Sequence, residues 1–313
     1  MPLSELVLES TLVSSPLPVI DTSPALRAEA DRLRAAGQRI ALVPTMGALH
    51  AGHLSLVEVA RSHADVVWVS IFVNPTQFNE AHDFESYPVD LSRDLALCAD
   101  YGVDAVFTPG VEDLYPAGAE TWVEVEKLAG PLCGRTRPGH FRGVTTVVSK
   151  LFLASKPHVA VFGEKDFQQL AVIRRMNRDL GFGIEVLGGP TIREPDGLAL
   201  SSRNVRLGPQ AREQARVLVQ ALDAAEKAVQ SGEKSRDALL EIVRRVIGGA
   251  SLASIDYAEL RDPESLTNSP SEICEPTLLA LAVNFEADAS GQGSAVRLID
   301  NRVLQPRLRS EVR

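Results

Sequence analysis

The sequence predicts an α/β fold, a Rossmann-like doubly wound parallel sheet with a second, smaller α+β domain. Three features lead there. Short apolar runs alternate with helical patterns of about ten residues from position 40 to 187. Several of these runs stop at Gly or Pro, as strands do on entering a turn. Beyond Pro209 the texture changes to long amphipathic helical patterns followed by strand-like runs. Strands that alternate with helices pair in parallel through right-handed crossovers, which gives a doubly wound sheet. At 313 residues and 45% hydrophobic, the chain has enough apolar surface for two domains.

Residues 1–22 hold Pro2, Pro16 and Pro18 among scattered serines and read as an extended lead-in. Ser23 and Pro24 suit the cap and first position of a helix running to 35. A strand over 40–43 ends at Pro44, and a helix follows over 54–63. Next come a buried strand over 66–73, a helix over 91–101 and a strand over 105–108 closed by Pro109 and Gly110. Residues 144–154 read as a helix despite their β-branched content. A strand over 158–163, a helix over 167–180 and a strand over 184–187 complete the alternation. In the second part, helices are expected over 209–230 and 235–248, with strands over 255–260, 278–285 and 296–299. The segments 266–276 and 286–293 read as surface loops from their Ser, Gly and acidic content. The expected boundary lies near Thr191, giving domains over 1–191 and 192–313.

Charge narrows the partners. Lys plus Arg total 32 against 41 Asp plus Glu, a net charge of −9, so a nonspecific grip on nucleic acid or an anionic membrane is disfavoured. The most apolar stretch, 66–73, falls far short of the ~20 residues of a membrane helix. Cys98, Cys133 and Cys274 are widely spaced and suggest neither a disulfide framework nor a zinc knuckle, so a reducing, cytoplasmic setting is expected. The charge is also unevenly spread. Residues 80–126 carry twelve acids and one base, whereas 127–178 carry ten bases and two acids, Glu164 and Asp166, which flank Lys165. This basic segment is expected to supply the local field for a polyphosphate.

Five motifs carry chemistry. Pro44-Thr45-Met46-Gly47-Ala48-Leu49-His50-Ala51-Gly52-His53 joins a strand to a helix, where free N–H groups and the helix dipole make an anion site. His50 and His53, three apart at the helix start, can face one crevice. Phe162-Gly163-Glu164-Lys165-Asp166-Phe167-Gln168-Gln169 repeats the strand-to-helix pattern. There Lys165 suits a phosphate, Asp166 a ribose hydroxyl and Gln169 a carboxylate or hydroxyl. Leu200-Ser201-Ser202-Arg203-Asn204 is a candidate phosphate clamp. Asn74-Pro75-Thr76-Gln77-Phe78 puts two amides on the rim where open α/β sheets bind ligands, and Arg137-Pro138-Gly139-His140-Phe141 adds a guanidinium and an imidazole. Singly each is ordinary: paired histidines in a loop are commonly surface residues, and charges in a first helical turn are commonly caps.

Together and in this order, VPTMGALHAGH, FVNPTQF, RPGHFRGV, FGEKDFQQL and DGLALSSRN resemble the pantothenate synthetase (pantoate:beta-alanine ligase) family of the nucleotidyltransferase superfamily. The resemblance runs from about Ile40 to Arg206 and continues through the strings DYAELRDP and RLID. It implies ligation of pantoate and beta-alanine through a pantoyl adenylate, with ATP as substrate accompanied by Mg²⁺, no prosthetic group, and a homodimer. His50 to His53 correspond to the HIGH-like element and Leu200 to Arg203 to the KMSKS-like element. By resemblance Met46, Gly47, Ala48, Leu49, His50, Ala51, Gly52 and His53 line the triphosphate, with His53 as a proton donor. Lys165 and Arg203 join the two histidines as catalytic residues, and Ser201 and Ser202 assist. Gly163, Glu164 and Asp166 hold the nucleotide near its ribose, with Ile192 and Leu200 by the adenine. Gln77, Gln169 and Met46 hold pantoate, and Asn74, Tyr87, Arg137 and His140 complete the acid and amine sites. The first domain is then the nucleotide- and pantoate-binding one and the second a lid.

Two departures stand out. The family often has an acidic pair after its Tyr-Pro, here Tyr87-Pro88, where this chain has Arg93-Asp94; Asp94 is the remaining candidate metal-side carboxylate. Leu200 replaces a common Met, a tolerable apolar swap. The alternatives are another nucleotidyltransferase with a stable nucleotide product, or an inactive nucleotide-binding module. Paired Gln77 and Gln169 favour the ligase, because a pure nucleotide binder has no use for an acid pocket.

Overall fold

Six parallel strands form the larger sheet of the computed structural model, which describes residues 17–78, 87–288 and 291–306. In chain order they are β1 (Val19–Ile20), β2 (Ile40–Thr45), β3 (Val66–Ile71), β4 (Ala105–Phe107), β5 (Val159–Gly163) and β6 (Glu185–Gly189). Their spatial order is β1-β4-β3-β2-β5-β6. From β2 the chain builds outward through β3 and β4, then returns to lay β5 and β6 on the other side. The order therefore reverses between β2 and β5, which pair at Ala41 with Val159 and Leu42 with Ala160. Ligands of such sheets bind outside the carboxyl ends of the strands at this reversal.

Central position explains the composition of these strands. Every residue of β3, VVWVSI, is buried, as are Ile40, Ala41, Leu42 and Val43 of β2, because helices cover both faces. On one face, Trp68, Phe107 and Phe162 pack with Phe152 and Leu151 of the helix His140–Ser155. On the other, Val43, Val67 and Val161 pack with Leu56, Val57 and Ala60 of the helix Ala51–Arg61.

The smaller sheet is antiparallel, with β7 (Ala253–Arg261), β8 (Thr277–Phe285) and β9 (Val296–Leu304) side by side. Helices Val217–Gln230 and Arg236–Ile247 bury Leu218, Leu222, Leu239 and Val243 against its Leu279, Leu281 and Val283. The fold class predicted from the sequence, a doubly wound parallel sheet with a smaller α+β part, is the one observed.

Several local expectations change. Val19 and Ile20, placed in the lead-in, form β1 and pair with Val106 and Phe107 at the sheet edge; residues 1–16 lie outside the described residues. Residues 209–230 form two helices, Pro209–Gln214 and Val217–Gln230, joined where Leu218 N–H bonds to the Ala215 carbonyl three residues back. The segment read as a loop over 266–276 buries Leu266, Ser269 and Ile273. In the other such segment Asp288 is buried and caps the helix Pro209–Gln214, accepting the N–H groups of Gln210 and Ala211 at 2.9 Å each.

Candidate active site

The turn after β2 is held by a carboxylate from another helix. Both oxygens of Asp94, 1% exposed, accept backbone N–H groups at 2.8 Å, one from Ala48 and one from Leu49. Gly47 (φ +83°) and Ala48 (φ 50°) take left-handed conformations, and a Cβ on Gly47 would lie 3.0 Å from Asp94 Oδ2. Asp94, expected from sequence as a metal-side carboxylate, has its oxygens engaged in shaping this turn.

His50 caps the helix Ala51–Arg61, its Nδ1 accepting the Gly52 N–H at 3.1 Å. His53 closes a capping box by accepting the His50 N–H on its own Nδ1 at 3.4 Å. In the neutral rings the proton of each must then sit on Nε2, so both histidines present an N–H donor beyond the cap. Burial, then the neighbouring His50, lowers His53 to about 3, and burial, then Lys165, lowers His50. Near neutral pH both rings are uncharged. In this state His53 offers the site a hydrogen-bond donor at Nε2.

Lys165 and Asp166 follow β5, across the sheet reversal. Asn301 of β9 donates to the carbonyls of Glu164 at 3.0 Å and Lys165 at 2.8 Å, so the second sheet fixes this turn. Lys165 Nζ is 3.8 Å from Asp166. Below, Ser201 Oγ accepts the Arg203 N–H at 3.2 Å and starts a short helical turn over Ser202–Arg206. Leu200 N–H bonds to the Ile192 carbonyl at 2.9 Å, and Tyr87 hydrogen-bonds Ser202.

The third wall comes from the turn after β3. Asn74, 1% exposed, bonds to Gln77 at 3.1 Å and to the Gly143 carbonyl at 3.1 Å. The Gln77 carbonyl accepts from His140 Nδ1 at 2.8 Å and Arg137 at 3.3 Å. Because that carbonyl only accepts, His140 carries its proton on Nδ1 and leaves Nε2 as a lone pair. Burial, then Arg137, lowers this ring to about 4.

Met46, His50, Gly52, His53, Asn74, Gln77, Tyr87, Arg137, His140, Gly163, Lys165, Asp166, Gln169, Ile192, Leu200, Ser201, Ser202 and Arg203 line one cavity of about 230 Å³. Gly47, Ala48, Leu49, Ala51 and Glu164 are not among its lining. Leu49 is buried in the core beneath, and the Glu164 carboxylate turns toward Gly188 of β6. A larger cavity of about 490 Å³ shares Lys165, Asp166, Arg137 and His140, and extends to Cys133, Tyr257 and Arg297. Sequence reasoning missed Tyr115, Gly143 and Asn301. Only Gly143 had a signal, its place in the RPGHFRGV string.

The basic segment is also reassigned. Of its ten bases, Arg137 and Lys165 line these cavities. Lys156 pairs with Asp31, Arg135 with Glu259 and Arg175 with Asp179, while Arg142 covers Trp122 and Lys150 covers Tyr115. The segment is thus no uniform source of field; two residues of it face the site. Among the described residues no cluster of three or more His, Cys, Asp or Glu could hold a metal, and no helix is long and apolar enough to cross a membrane.

Paired imidazole donors, a lysine and an arginine around the reversal of a doubly wound sheet, beside an amide-lined pocket, define a nucleotide-using enzyme of the ligase type. The chain belongs to the pantoate-beta-alanine ligase family, whose model matches residues 18–303. It is 53% identical over 286 residues to a pantothenate synthetase from Solidesulfovibrio magneticus, covering 91% of this chain and 97% of that protein. A crystal structure of the Thermus thermophilus pantothenate synthetase superposes with a TM-score of 0.85 at 44% identity, covering 93% and 100% of the two chains. The Francisella tularensis ligase, solved with beta-gamma ATP and beta-alanine, gives 0.73 at 34% identity, covering 92% and 97%.

Proposed function

We propose that the chain joins pantoate to beta-alanine using ATP, by way of a pantoyl adenylate, with release of pyrophosphate and AMP. The observation that carries this is a single cavity holding both the amides of Gln77 and Gln169 and the phosphate-binding types His50, His53, Lys165 and Arg203. In the first step a pantoate carboxylate oxygen attacks the α-phosphorus of ATP, and the bond to the departing pyrophosphate breaks. The carboxylate is already ionised at neutral pH, so alignment and charge stabilisation matter more than a base. Lys165 and Arg203 supply positive charge, and the Nε2–H groups of His50 and His53 with the hydroxyls of Ser201 and Ser202 supply donors. Gly163 and Asp166 hold the ribose, and Ile192 and Leu200 flank the adenine.

In the second step the beta-alanine amine attacks the acyl carbon and AMP leaves. The ammonium, with an unperturbed pKa of about 10, must first shed a proton. His140 lines both cavities and offers Nε2 as an acceptor that can orient the amine. Met46, Asn74, Tyr87 and Arg137 complete the acid and amine sites. Mg²⁺ would arrive with ATP as part of the nucleotide substrate and would neutralise phosphate charge there, so a dedicated protein cage is unnecessary.

In the same reading, residues 1–191 bind nucleotide and pantoate, 192–313 act as a lid, and the protein is a cytoplasmic homodimer; sedimentation as a monomer at working concentration would contradict the last point. The decisive experiment is ATP–pyrophosphate exchange followed by beta-alanine-dependent AMP release. Exchange that requires pantoate is expected; exchange without pantoate, or none at all, defeats the ligase reading.

A further inference from the structure

The hydrogen bonds behind the acid wall decide which way its amides point. The Gly143 carbonyl can only accept, so the amide nitrogen of Asn74 must face it. Asn74 Oδ1 then points the opposite way, to the Thr76 N–H at 3.4 Å, the Thr76 hydroxyl at 3.0 Å and the Tyr115 phenol at 3.0 Å. All three can donate. The remaining N–H of Asn74 needs an acceptor, and the group it meets is Gln77 Oε1 at 3.1 Å. Gln77 is left with its NH₂ turned toward Met46 Sδ, 3.2 Å away on the cavity wall. Arg137 and His140 hold the Gln77 backbone, so the residue cannot escape by moving as a unit. A Cβ on Gly143 would lie 2.5 Å from the Thr76 carbonyl and 2.8 Å from the Gln77 nitrogen, so glycine is required for this approach.

We propose that Tyr115, which is not part of the cavity lining, is a positioning residue that acts through Asn74 to fix Gln77 as an obligate hydrogen-bond donor. The wall thereby selects a ligand with an acceptor oxygen, a carboxylate or hydroxyl, at that point and disfavours one with a donor there. Burial raises the Tyr115 phenol above its ordinary pKa, so it remains a donor throughout the neutral range. The proposal rests on the ligase reading above and names a residue that the five motifs do not contain.

The test is ATP–pyrophosphate exchange at varied pantoate and varied ATP, with thermal unfolding of each variant. Tyr115→Phe removes one of three donors to Asn74 Oδ1 and should raise the KM for pantoate roughly three- to tenfold, with the KM for ATP unchanged. Asn74→Asp replaces a donor by an acceptor, so Gln77 must reverse and present oxygen to the substrate carboxylate; a loss of about 100-fold or more in kcat/KM for pantoate is expected. A pantoate KM for Tyr115→Phe within experimental error of wild type, or an equal rise in both KM values, overturns the proposal. If Tyr115→Phe fails to fold, Asn74→Asp decides, and wild-type pantoate kinetics in that variant overturn it. A wild-type protein without pantoate-dependent exchange sinks the ligase reading itself, and the relay with it.

Discussion

The amide-lined wall after β3 and the turns after β2 and β5, called here the acid wall and the phosphate wall after the roles proposed for them, are built differently. On the acid wall side chain holds side chain, Tyr115 to Asn74 and Asn74 to Gln77, and His140 and Arg137 hold the Gln77 backbone carbonyl as well. On the phosphate wall the anchors described above act on backbone, Asp94 under the His50 turn and Asn301 under the Lys165 turn. Lys165 reaches Asp166 at 3.8 Å, beyond hydrogen-bond length. A wall of fixed amides recognises shape and polarity before the ligand arrives. A cation on a fixed turn works by charge and can follow the phosphates as their geometry changes.

The sharpest way to separate the walls is Lys165→Ala. Exchange should fall by about 10³-fold or more through lost charge stabilisation, while pantoate binding by calorimetry and the unfolding temperature stay near wild type. Loss of pantoate binding in this variant would mean that the walls are not independent.

Asp94→Ala probes the scaffold beneath the phosphate wall. It strands two backbone N–H groups and should cost about 2–4 kcal/mol of stability and at least tenfold in kcat, with the Mg²⁺ concentration for half-maximal rate unchanged. A marked rise in that Mg²⁺ concentration would restore Asp94 to the metal.

Acid is the mildest probe and touches both walls. His53 and His140 are held at about 3 and about 4, below their unfolded value of about 6.5, so the unfolded chain binds more protons as pH falls through that window. Stability present above 6.5 should decline by up to ~1.4 kcal/mol per pH unit for each ring, until the folded pKa is reached. Denaturant unfolding at pH 7.5, 6 and 5 should show this, and His140→Asn, which keeps a donor for the Gln77 carbonyl, should flatten the slope. An unchanged slope would remove His140 from the effect.

Legibility followed sequence distance. β2, β3 and β5 could be read because buried parallel strands are short apolar runs, and the turns after them because Gly, His and Lys collect there. β1 escaped because two residues between prolines and a helix cap leave no pattern to detect. The helix His140–Ser155 begins four residues before the apolar run over 144–154, because His140 to Gly143 carry no continuous apolar pattern. Asp94 contacts Ala48 across 46 positions and Tyr115 contacts Asn74 across 41. No local spacing rule reaches that far, so Tyr115 went unread and Asp94 was read as a metal-side carboxylate rather than as the support of a turn.

The grip of Asn301 on the Glu164 and Lys165 carbonyls spans 137 and 136 positions. A ribosome adding 5–20 residues per second delivers that asparagine on the order of ten seconds after the turn it clasps. All six strands of the parallel sheet have been made by then, yet their nucleotide turn still lacks its clasp. The turn after β5 therefore takes its finished form only once β9 has been made, however early the parallel sheet itself assembles.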